Sequence, residues 1–81
     1  DMPQVLINAH VSEEKKNDYL SDDIIKNKIE EIEKHFDNKG RVLIRASGTE
    51  PLVRVMIEGE NQEEINKYAG EMAALIEQRL N

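Results

Sequence analysis

Arg41-Val42-Leu43-Ile44-Arg45-Ala46, then Ser47-Gly48-Thr49-Glu50-Pro51, then Leu52-Val53-Arg54-Val55-Met56-Ile57-Glu58: on this stretch the fold turns. In its first part Val42, Ile44 and Ala46 share one face of a strand, and Arg41, Leu43 and Arg45 the other. In its last part Val53, Val55 and Ile57 oppose Leu52, Arg54, Met56 and Glu58. β-branched side chains dominate one face of each run, as a half-buried pleated surface favours. Ser47 to Pro51 is too short a connection for a crossover, so the two strands are expected to form an antiparallel hairpin.

Outward from the hairpin, Ile25, Ile29, Ile32 and Phe36 recur at helical spacing. Ser21-Asp22-Asp23 supplies N-cap chemistry and negative charge where that helix would begin. Asn38-Lys39-Gly40 would end it, with Gly40 as the expected left-handed cap. Ser12 to Leu20 shows no period and is expected to be a loop. Before it, Gln4 to Val11 alternates, with Val5, Ile7, Ala9 and Val11 on one face and Gln4, Leu6, Asn8 and His10 on the other. After the hairpin, Asn61-Gln62-Glu63-Glu64 has the pattern of a capping box, followed by the stripe Ile65, Tyr68, Ala69, Met72, Ile76 and Leu80. The order is β-α-β-β-α. Two singly striped helices and strands with one apolar face are satisfied by an α+β, two-layer sandwich, an antiparallel sheet with both helices on one side.

Eighty-one residues bound the chain to one domain, 1–81, with a thin core. Without cysteine there is no disulfide or thiolate-held zinc, which fits a reducing, cytoplasmic setting. No apolar run reaches membrane-spanning length, and no membrane partner is expected. A net charge of −6 argues against a nucleic-acid surface, since phosphate backbones are bound through basic stripes. With no aromatic residue in the strands, the sheet also lacks a platform on which bases could stack. Against that acidic background Arg41, Arg45 and Arg54 lie close together in sequence, with Glu50 the only acid among them. His10 and His35 are widely separated, and no metal site is expected from them.

The hairpin brings Arg45 and Arg54 near one another, and guanidinium forks match phosphate oxygens. Ser47 and Thr49 add hydroxyl donors, Gly48 allows close backbone approach, and consecutive N–H groups in a tight turn can form an anion nest. Ser47-Gly48-Thr49-Glu50 also fits a helix capping box, but Pro51 opposes helix formation there. By chemistry alone a phosphate or carboxylate site and an ordinary polar hairpin both remain open.

The run from Gly40 through Glu58 resembles the end of the bacterial phosphoglucosamine mutases, within the α-D-phosphohexomutase superfamily, and Pro3-Gln4-Val5-Leu6-Ile7-Asn8 is similar to the first strand of the same domain. Ala46 stands where many glucosamine-type members have proline, and alanine there is usual in the phosphomannomutase branch; Gly48-Thr49-Glu50 and Leu52-Val53-Arg54-Val55-Met56 keep to the glucosamine pattern. The resemblance implies a C-terminal, TATA-binding-protein-like domain of a four-domain enzyme that interconverts glucosamine 6-phosphate and glucosamine 1-phosphate, on the way to UDP-N-acetylglucosamine and peptidoglycan. It implies that Arg45, Ala46, Ser47, Gly48, Thr49 and Arg54 hold the non-reacting phosphate of a hexosamine phosphate. It further implies that Mg2+ and a phosphoserine belong to three preceding domains of the same chain, with no cofactor bound and no catalytic residue supplied by these residues. A phosphomannomutase or phosphoglucomutase domain is the nearest alternative, and a non-enzymatic interaction module a more remote one.

Overall fold

The computed structural model describes residues 2–81, so Asp1, the first residue of the expected domain, lies outside the described residues. Three strands, β1 (Gln4–His10), β2 (Arg41–Ala46) and β3 (Leu52–Glu58), form one sheet in the order β1-β3-β2, both pairings antiparallel. Two helices, α1 (Asp23–Phe36) and α2 (Gln62–Arg79), pack on one face of it, α2 over β1 and β3 and α1 over β2. This is the α+β sandwich expected from the alternation. Its core joins Ala9, Val42, Val53, Val55 and Ile57 of the sheet to Ile25, Ile32 and Phe36 of α1 and Ile65, Ala69, Met72 and Ile76 of α2. Tyr68 is only half-buried and meets the edge of Phe36 instead of the centre of the core. β1 ends at His10; Val11 is still buried, but its N–H leaves the ladder for the Pro51 carbonyl (3.0 Å).

Both helix starts follow the capping rules. Asp22 accepts from the Ile25 N–H (3.0 Å) and Asn61 from the Glu64 N–H (2.9 Å), each satisfying a donor that the first turn leaves free. The capping box at Asn61 is half made, because the Glu64 carboxylate reaches His35 Nε2 (3.3 Å).

Two expectations are corrected. The left-handed residues ending α1 are Asp37 (φ 50°) and Asn38 (φ 67°), and no glycine has positive φ. Short Asx side chains tolerate that conformation. Gly40 is needed for space: a Cβ there would stand 2.6 Å from the Glu58 carbonyl oxygen and 2.9 Å from Phe36 Cγ. Ser12 to Leu20 is not a loop throughout, since Glu13–Leu20 is a 3₁₀ helix capped by Ser12. With three residues per turn it stacks Glu13, Lys16 and Tyr19, burying Lys16 and half-burying Tyr19. That three-residue spacing does not match the 3.6-residue period of an amphipathic α-helix.

Candidate phosphate site

The antiparallel register sets Arg45 directly opposite Arg54, with Asn8 of β1 on the other side of Arg54. All three belong to the sheet face that carries no helix. The neighbouring row on that face is Leu6, Met56 and Leu43, and Leu6 and Leu43 are 61% and 43% exposed. Together with the hairpin loop these rows line an open pocket of about 510 Å³: Arg45, Ala46, Ser47, Gly48, Thr49 and Arg54 on its polar side, Leu6, Leu43 and Met56 on its apolar side. All six residues singled out in the sequence are therefore brought together. Leu43 and Met56 share the arginines' face already by the alternation, whereas Leu6 was not anticipated beside them, because its place depends on β1 pairing with β3, which alternation within each strand does not reveal.

Like charges directly opposite on adjacent strands destabilise a sheet by a few tenths of a kcal/mol to about 1 kcal/mol. Such a pair is usually relieved by a carboxylate. Arg41 has one in Glu58 (3.2 Å) and Arg79 one in Asp22 (2.8 Å), but among the described residues neither Arg45 nor Arg54 has an acidic partner. Arg41, the third arginine of the sequence cluster, is held by Glu58 and does not line the pocket.

The loop is folded by its own hydrogen bonds. Ser47 is buried, and its Oγ accepts from the N–H groups of Thr49 (3.3 Å) and Glu50 (3.1 Å). The nest of consecutive free amides is thus partly occupied by the serine, and the loop shows the serine-capped turn without the helix, which Pro51 forestalls. The Ser47 N–H donates to the Leu52 carbonyl (2.9 Å), and the Leu52 N–H to the Glu50 carbonyl (2.8 Å), closing the turn around Pro51. From outside, Val11 N–H holds Pro51 O and Lys16 Nζ holds Glu50 O (3.2 Å). Lys16 was not singled out by the sequence; a lysine among acids reads as solvated. A Cβ at Gly48 would meet no protein atom within 4 Å, so neither packing nor a positive φ demands glycine there.

A folded β-α-β-β-α unit whose paired arginines, without an acidic partner among the described residues, line a pocket beside a serine-capped turn defines a class: a small α+β domain with a cationic pocket on its open sheet face. Residues 6–75 match the family described as phosphoglucomutase/phosphomannomutase, C-terminal domain, and the chain belongs to that family. The phosphoglucosamine mutase of Clostridium botulinum (strain 657 / Type Ba4) is 59% identical over 99% of this chain, and that of Caldanaerobacter subterraneus subsp. tengcongensis 58% over 98%. In both cases the chain spans 18% of the relative's length. Among solved structures, the Aspergillus fumigatus N-acetylphosphoglucosamine mutase in complex with GlcNAc-6P and magnesium superposes with a TM-score of 0.82 at 28% identity, covering 100% of this chain and 16% of the other. An N-acetylglucosamine-phosphate mutase of the α-D-phosphohexomutase superfamily, in its product complex, gives 0.76 at 25%, covering 94% and 15%.

Proposed function

We propose that this chain works as the C-terminal substrate-phosphate domain of a phosphoglucosamine mutase, the larger four-domain enzyme carrying out the isomerisation. Glucosamine 6-phosphate and glucosamine 1-phosphate are the proposed substrate and product. The observation that carries the reading is the pair Arg45 and Arg54: two exposed guanidiniums in register, unrelieved by any acid among the described residues, at the mouth of a turn built from Ser47, Gly48 and Thr49. An isolated like-charge pair is a cost to the fold, and a phosphate dianion turns it into a gain. The relatives at 57–59% identity that are named phosphoglucosamine mutases favour that sugar over the phosphomannomutase or phosphoglucomutase alternative.

A mutase that moves a phosphoryl group between O6 and O1 must accept its sugar in two orientations. The feature common to both is the phosphate not undergoing transfer. Arg45 and Arg54 would hold it bidentately, while the Ser47 hydroxyl hydrogen, the Thr49 hydroxyl and the Gly48 N–H complete the donor set. Fixing that end lowers the entropic cost of bringing the far hydroxyl to the reacting phosphoryl group. Mg2+ and a phosphoserine are proposed for the preceding domains. The described residues bring no three His, Cys, Asp or Glu side chains together. In a mutase whose C-terminal domain is this chain, Arg45→Ala and Arg54→Ala are each expected to lower kcat/KM at least tenfold, as loss of a charge-assisted bond requires. Turnover equal to wild type in both variants would reject the gripping role.

A further inference from the structure

Lys16 is the one lysine of the described residues that is buried, at 6% exposure, and its ammonium has two partners: the Glu13 carboxylate (2.9 Å) one 3₁₀ turn away and the backbone carbonyl of Glu50 (3.2 Å). Burying an ammonium is penalised heavily unless it is paired and hydrogen-bonded. A packing role alone would be met by leucine or methionine without that penalty. The bond to Glu50 crosses from the 3₁₀ helix Glu13–Leu20 to the hairpin loop, and its acceptor is the same carbonyl that takes the Leu52 N–H around Pro51. Lys16 itself does not line the pocket. It holds the loop by the residues next to those that would face the anion.

Resting on the phosphate reading of that pocket, we propose that Lys16 is a positioning residue: its ammonium fixes the Glu50 carbonyl and thereby the turn that presents Ser47, Gly48 and Thr49 to the phosphate. Pro51 has no N–H and cannot anchor the turn through its own amide. From outside the hairpin, the loop's second half is held by two bonds made to its carbonyls, one from Val11 and one from Lys16. Of these, the charged donor is the stronger.

Amide exchange and phosphate titration of the 81-residue chain, followed by NMR, test this. In Lys16→Met the amides of Thr49, Glu50 and Leu52 are expected to exchange about tenfold faster while those of Val55 and Ile57 in the central strand are unchanged, and the Kd for inorganic phosphate to rise several-fold. Lys16→Arg, which keeps a donor cation, is expected to restore most of both. The Kd ratio of Lys16→Met to wild type should persist at high salt, where a remote charge would be screened. Unchanged loop exchange, faster exchange with an unchanged Kd, or a ratio that falls to one in salt would each overturn the proposal. Should wild type not respond to phosphate at all, the reading of the pocket fails and the proposal with it, and the exchange data still separate that failure from the loss of the Lys16 tether.

Discussion

A Cβ at Gly40 would collide with the Glu58 carbonyl oxygen and the Phe36 ring, whereas one at Gly48 would enter open space. The two glycines should therefore separate stability from binding. Gly40→Ala forces either the strand or the Phe36 ring to move and is expected to cost about 1–3 kcal/mol in a urea unfolding measurement. Gly48→Ala should leave the unfolding midpoint unchanged or raise stability by up to about 1 kcal/mol, because it removes freedom from the unfolded chain. In the same variant the affinity for phosphate is expected to drop, since the added methyl occupies space the ligand would use. A Gly48→Ala variant that binds phosphate like wild type would show that close backbone approach plays no part.

The hairpin shows what elements add to residues. Arg45 and Arg54 lie on different strands, and only the register makes them neighbours. Arg54→Gln removes half of a like-charge pair from an exposed face, so it is expected to leave stability unchanged or slightly raised while phosphate binding weakens tenfold or more. Thermal unfolding and titration of one sample check both halves. This hairpin was legible in the sequence because period-two alternation on both sides of a five-residue turn leaves little choice of fold. The order of the strands was less so: that β3 lies between β1 and β2, and sets Leu6 beside Met56, depends on tertiary pairing. The 3₁₀ helix escaped notice because its buried position is a lysine, which marks no apolar stripe. Asp37 and Asn38, and not the glycine that the sequence offers for the end of α1, adopt the left-handed turn, and Gly40 answers to a packing contact that local sequence cannot reveal.

At the scale of the whole molecule, α1 and α2 are tied to each other by Lys28 to Glu71 (2.9 Å) and Asp22 to Arg79 (2.8 Å). The hydrogen bond from Lys28 holds the Glu71 carboxyl below its ordinary value of 4.5 against a smaller opposing effect of burial. Burial pushes Asp22 up, but the Ile25 N–H and the Arg79 guanidinium together outweigh it and leave the carboxyl below its ordinary 3.8. Both groups bind protons less readily when folded. Their contribution is therefore complete above the ordinary values and lost as pH falls through 4.5 and 3.8 toward the lower folded values. The urea midpoint is expected to decline over that acid range, and Asp22→Asn to flatten the decline. Lys28, raised above 10.5 by its bond to Glu71, acts at the opposite end, its contribution fading only as pH climbs past that value.

The central claim is that Arg45, Arg54 and the turn between them grip a phosphate. It is tested most directly by a two-dimensional amide NMR titration of the 81-residue chain with glucosamine 6-phosphate, with glucosamine as the control. A single phosphate held by part of a site should bind with a Kd on the order of millimolar, about −4 kcal/mol. Shifts confined to the stretch from Arg45 to Arg54, and absent with glucosamine, are the expected result; no shift at phosphate concentrations well above that Kd, or the same shifts with glucosamine, would contradict it.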